Sequence, residues 1–179
     1  MSSELGLYLC AAREMDSACE LISRILAQQV RSLRWRIKRT PHAGDLTPDA
    51  EALASSQFLV LLLGSDLVAP MGVEYQQALR QGTFVIALHD ATRIPSPSAD
   101  YITHLGRQRW LEYKSAAHLA LLFERNLLRQ LIDGTPGYGL DLEQIEAISA
   151  RLSELEAGPE AAPEQPRGAG EGGVILPGY

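Results

Sequence analysis

Two carboxylates, Asp66 and Glu74, flank the segment Gly64-Ser-Asp-Leu-Val-Ala-Pro-Met-Gly-Val-Glu-Tyr75, the densest cluster of chemistry-bearing residues in the sequence. A carboxylate pair suits glycosidic cleavage, with one member as nucleophile or oxocarbenium stabiliser and the other as acid/base. The same spacing also arises without chemistry, because the helix macrodipole favours acidic side chains near a helix start. Gly72 removes a side chain where a ligand would approach the backbone, and Ser65 lies in the same loop. Cys10 and Ala11 sit at the mouth end of a first strand, where a thiol is a nucleophile only beside a poised base. His89, Asp90 and Arg93 follow a later strand, where they serve either to contact a ribose or phosphate or simply as solvated loop residues. His42-Ala-Gly44-Asp45 is a polar loop that serves either as a contact surface or as an ordinary turn. The four histidines show no metal-ligand spacing, and neither GxGxxG nor GxxxxGK[ST] occurs, so no metal or phosphate-cradling loop is expected.

These residues need a scaffold, and hydrophobic periodicity supplies one. Leu5 to Cys10 is a short apolar run, followed by helical spacing at Ala18, Leu21, Ile22, Ile25 and Leu26. Leu33, Trp35 and Ile37 alternate with Arg34, Arg36 and Lys38, which reads as a strand with one polar face near a sheet edge. Thr47-Pro48 is an N-cap pair for a short helix to about Ser55, and Phe58 to Leu63 is continuously apolar, as a strand buried on both faces must be. A helix over Gly72 to Arg80, a strand over Thr83 to Leu88, a Pro/Ser-rich loop to Asp100, an edge strand over Arg109 to Tyr113 and a helix capped by Ser115 complete the pattern. Strands alternating with helices across short connections imply a mainly parallel five-stranded sheet in a flavodoxin-like three-layer α/β sandwich, order 2-1-3-4-5. Ligands of such sheets sit beyond the carboxyl ends of the strands, which is where the loops just named fall.

The 179-residue chain has 16 basic and 22 acidic residues, unevenly spread. Residues 1–132 hold 14 bases and 13 acids, whereas 133–179 hold two bases and nine acids. The sequence thus divides into an α/β domain over 1–132, an acidic amphipathic helix over 133–157, and a Gly/Pro-rich tail over 158–179 that is expected to be disordered. That tail ends in Val174-Ile175-Leu176-Pro-Gly-Tyr179, which has the form of a docking peptide on a tether. Near-neutral charge disfavours nucleic acid as a direct partner, although Arg31 to Arg39 carries five bases and no acid. No run approaches a membrane span, and two cysteines make no disulfide framework, so a cytoplasmic protein is expected.

The frame of LYLCAARE, FLVLLLGSD and APMGVEYQQALRQGTFVIAL resembles the Toll/interleukin-receptor (TIR) domains and the related nucleoside deoxyribosyltransferase-like proteins over roughly residues 5–132. In NAD-cleaving TIR domains a Glu closes a Trp-Cys-x-x-Glu motif; its counterpart here, Pro70-Met-Gly-Val-Glu74, keeps only the Glu. The Asp-x-Gly-Thr-x-x-Glu pattern of the deoxyribosyltransferases keeps its Glu alone as well. The resemblance implies a nucleotide-binding signalling or defence domain, with NAD or a related nucleotide as substrate rather than cofactor. Glu74 would hold the ribose hydroxyls and stabilise the oxocarbenium ion as nicotinamide leaves. It also implies self-association through the His42 to Asp45 loop. The other reading is a non-catalytic interaction module, an adaptor or scaffold that uses the domain and its tail to bind a protein partner. A flavodoxin-like receiver fits poorly, because the first strand ends in Cys-Ala-Ala and Asp66 lies beyond the end of the third.

Overall fold

The computed structural model describes residues 4–28, 33–42, 46–106, 108–135 and 137–158. The tail from Pro159 to Tyr179, and Gly44 and Asp45, lie outside the described residues.

The run Phe58–Leu63 has no polar side chain to keep in water, and all six residues are buried. It forms β3 at the centre of a five-stranded sheet ordered β2-β1-β3-β4-β5, with β1 at Glu4–Ala11, β2 at Arg34–Arg39, β4 at Phe84–Asp90 and β5 at Trp110–Tyr113. Every pairing is parallel, so the expected topology is observed and the sheet is wholly rather than mainly parallel. Strand β2 is an edge, and its Arg34, Arg36 and Lys38 are exposed, whereas Trp35 and Ile37 pack inward. Such charges on an edge discourage pairing with other chains.

Side-chain alternation sends Phe58, Val60 and Leu62 to one face, against α1 (Asp16–Gln28) and α5 (Ala116–Asp133). Leu59 and Leu61 go to the other face with Tyr8, Cys10 and Ala87, under α2 (Ala50–Ala54) and α3 (Ala69–Gln81). Helices therefore cover both faces, which is the flavodoxin-like sandwich.

Three boundaries differ from expectation for local reasons. Helix α2 is capped by Asp49, whose Oδ1 accepts the Ala52 N–H at 2.9 Å, rather than by Thr47. Helix α3 starts at Ala69, before Gly72, because Pro70 falls in the first turn, where a missing N–H costs nothing. Part of the Pro/Ser-rich loop folds as α4 (Pro97–Leu105), since Ser96 caps the Ala99 N–H and Pro97 opens the first turn. Gly82 ends α3 at φ 71°, a left-handed conformation that costs an L side chain energy.

The last helix, α6 (Leu142–Ala157), begins with a capping box in which Asp141 and Gln144 satisfy each other's backbone. It is fastened to α5. Ile148 is buried in the same apolar cluster as Phe123 and Leu127. Arg151 forks onto Glu124, Nε to Oε1 at 2.8 Å and Nη2 to Oε2 at 3.1 Å, and Glu124 is only 4% exposed. The preceding linker stacks Tyr138 on Phe58 with ring centroids 5.1 Å apart. No helix among the described residues is long and apolar enough to cross a membrane.

Breaking one side of a largely buried pair strands the other charge. Arg151→Met is expected to cost about 2–3 kcal/mol, and the double variant Arg151→Met/Glu124→Leu to recover more than half of that, as read from urea unfolding curves.

Candidate functional site

Helix α3 turns Met71, Glu74 and Ala78 toward the sheet, a helical spacing that places one carboxylate in an otherwise apolar stripe. Glu74 is 0% exposed. Its Oε1 accepts the Tyr8 hydroxyl at 2.8 Å and its Oε2 accepts the Thr40 hydroxyl at 2.6 Å. It forms no ion pair among the described residues, so neutral donors, the two hydroxyls with the Cys10 thiol beside them, offset its loss of water. Thr40 is itself buried at the end of β2, where its Oγ1 also accepts the Ala11 N–H at 3.0 Å. Its N–H donates to the Leu9 carbonyl at 3.0 Å. One carboxylate thus ties α3 to the middle of β1 and to the residue just past β2.

Cys10 is buried beside this cluster with its thiol 3.5 Å from the Met71 carbonyl oxygen. Burial, then the nearby Glu74 charge, push the thiol well above its ordinary pKa, so it remains protonated and a poor nucleophile. Burial, reinforced by the bond to Glu74, raises the Tyr8 hydroxyl in the same direction. Ala11 is fully buried, and Gly72 is half-buried on the outer side of α3 near Leu67.

Asp66 does not join Glu74. It is exposed in the β3–α3 loop, where its Oδ1 accepts the Leu67 N–H at 2.8 Å and the hydroxyls of Ser96 at 2.7 Å and Ser98 at 3.2 Å. The Ser96 hydroxyl, then the Leu67 N–H, hold its carboxyl below the ordinary range. Ser65 belongs to a neighbouring network. Its N–H donates to Glu14 Oε1 at 2.7 Å and its carbonyl accepts the Ser96 N–H at 2.7 Å. Glu14 Oε2 also meets Arg93, which in turn holds Asp90 at 3.1 Å. Burial would raise the Asp90 carboxyl, but hydrogen bonds from Thr92 and Arg93 outweigh it and lower the group. Gly64 makes room for Glu14: a Cβ there would fall 2.2 Å from the Glu14 carboxylate.

His89, the last residue but one of β4, is almost buried, 5% exposed, and neither ring nitrogen finds a hydrogen-bond partner among the described residues. His42 is half-buried with Nε2 3.8 Å from Asp16. Gly44, Asp45, Val174, Ile175, Leu176 and Tyr179 lie outside the described residues. No group of three or more His, Cys, Asp or Glu among the described residues can hold a metal ion. Sequence reasoning missed Tyr8, Thr40 and Glu14. The parity shared by Tyr8 and Cys10 was a usable signal for the first; nothing local marks Thr40.

Glu74 lines none of five cavities that open among the described residues. An apolar groove of about 310 Å³ lies between α3 and α4, floored by Leu61 and walled by Leu67, Tyr75, Leu79, Tyr101 and Ile102. A second hollow, about 480 Å³, opens on the other face between α1 and the start of α5. Comparison with protein-family models, curated proteins and solved structures finds no match to this chain.

Thr40→Val leaves the Ala11 N–H and Glu74 Oε2 without their partner and is expected to destabilise by about 3 kcal/mol, against about 1–2 for Tyr8→Phe, both by denaturant unfolding. Asp66 and Asp90 have folded-state pKa values below their unfolded ones. Their contribution is therefore complete above the unfolded carboxylate value of about 4 and is lost as pH falls through the folded values. The urea midpoint should fall below that pH, and the fall should be shallower in Asp66→Asn.

Proposed function

We propose that the chain is a non-catalytic interaction module of TIR-like form, acting as an adaptor in a signalling or defence setting. One observation carries this reading: Glu74, the residue a glycosidic site would need open, is fully buried with both oxygens bonded to Tyr8 and Thr40. A carboxylate so placed holds an element in position. The surface adds support. Leu79 and Tyr101 beside the α3–α4 groove are 46% and 64% exposed, and Val73 on α3 is 57% exposed. Apolar side chains gathered around a groove mark protein contacts.

The occupant we assign to the groove is the apolar end of a second copy, Val174 to Tyr179. None of those six side chains is charged, which matches the uncharged side chains that line the groove. Nucleotide binding by the Glu74 cluster is the second reading. It is favoured by the convergence of Glu74, Tyr8, Cys10 and Thr40 at the carboxyl ends of β1 and β2, where ligands of parallel sheets bind.

Two measurements separate the readings. Incubated with NAD, the full chain is expected to release no nicotinamide; release that Glu74→Gln abolishes would establish the catalytic reading instead. In sedimentation, the full chain should self-associate, and either Leu79→Glu/Tyr101→Asp or replacement of Val174, Ile175 and Leu176 by Ser should weaken association about tenfold or more. A chain that stays monomeric at all concentrations refutes the assignment of the groove.

A further inference from the structure

The hollow between α1 and α5 lies on the opposite face of the sheet from Glu74 and from the α3–α4 groove. Its floor is Tyr113, the last residue of β5, which is 5% exposed. The Tyr113 hydroxyl has no hydrogen-bond partner among the described residues and is not one of the fully enclosed polar atoms, so it is open to a ligand in the hollow it lines. Burial, then the Asp90 charge, raise its pKa, and Arg93 offsets this only in part, so it stays a donor.

The start of α5 forms one wall. Ser115 satisfies two of the first-turn donors, its side chain taking the His118 N–H and its carbonyl the Leu119 N–H. The N–H groups of Ala116 and Ala117 keep no acceptor among the described residues, and the helix dipole adds positive potential there. Lys114 beside this turn and Arg24 across the hollow on α1 form no ion pair among the described residues. The carboxylates of the rim are largely spent: Glu14 is held by Ser65 and Arg93, and Asp90 by Thr92 and Arg93. Glu20 is the one acid left over, and Arg24 follows it one turn later on the same helix. The uncommitted polar groups are thus mostly donors, and two of them are cationic.

We infer that this hollow binds a small phosphate ester of mononucleotide size, its phosphate seated on the Ala116 and Ala117 N–H groups, the Tyr113 hydroxyl, Lys114 and Arg24. Donors converging from three elements suit the several oxygens of a phosphate better than the two coplanar oxygens of a carboxylate. The volume, about 480 Å³, exceeds what a bare phosphate fills. Met15, Leu21 and Leu119 provide apolar wall for an organic moiety. The site shares no residue with the groove or with the Glu74 cluster, so its success or failure is independent of the proposed function.

Titration calorimetry on the full chain tests this with AMP, inorganic phosphate, acetate and adenosine. AMP should bind, with adenosine and acetate about tenfold weaker or more, and affinity should fall as salt rises. Arg24→Ala/Lys114→Ala, which removes only exposed side chains, should weaken AMP about tenfold or more. Tyr113→Phe should weaken it several-fold while leaving the melting curve in place. The inference is overturned if neither AMP nor phosphate binds at millimolar concentration, if adenosine matches AMP, or if the Arg24/Lys114 variant binds AMP as the parent does.

Discussion

The constraint on which much of this molecule depends is the burial of one carboxylate. Glu74 is fully buried and forms no ion pair among the described residues, so its two oxygens must be met by donors held in place by the backbone. Tyr8 provides one from the middle of β1, and Thr40 the other from just past the end of β2. Thr40 can do this only because its own N–H and Oγ1 continue the pairing with β1 beyond the last strand residue. Strand register, helix placement and the polar cluster therefore determine one another. A shift of one residue in β1 would turn Tyr8 and Cys10 to the other face and leave the carboxylate orphaned.

A second set of fastenings holds the loops at the carboxyl ends of the strands. Glu14 reaches from the turn after β1 to the Ser65 N–H and to Arg93, and Asp66 reaches from the loop after β3 to the cap of α4. These contacts are exposed or half-exposed, so each contributes little to stability, but together they fix the relative positions of three loops. The two faces of the sheet end up with different rims. One rim is closed over by the Glu74 cluster, and the other stays open above Tyr113.

How far the sequence could be read follows from the range of the interactions involved. The sheet order was legible because β3 is apolar throughout and β2 alternates, features that report burial directly. Helix α4 was not, since proline and serine in a cluster read as loop formers although Ser96-Pro97 is a cap and first-turn pair. Glu74 stood out by type and position. Its partners did not, because Tyr8 and Thr40 lie 66 and 34 positions away and only the folded sheet brings them near. Asp66, closer in sequence, belongs to a solvent-facing loop while Glu74 points into the interior. Proximity along the chain misleads wherever a helix start separates two residues.

The attachment of α6 bears on how copies of this chain can assemble. Ile148 and the Arg151–Glu124 fork root that helix in the layer formed by α1 and α5, so Gly158, the last described residue, lies on that side of the sheet. The α3–α4 groove lies in the other layer, on the far side of the sheet. A tail that left from beside its own groove would fold back and cap it. On the proposed reading, a tail rooted on the opposite side would have to pass round the sheet to reach its own groove, which favours the groove of a neighbour, and each neighbour so engaged would offer a groove and a tail in its turn. Contacts of that heterologous kind have no built-in stopping point: they give rings where the rotation between copies closes, and filaments where it does not.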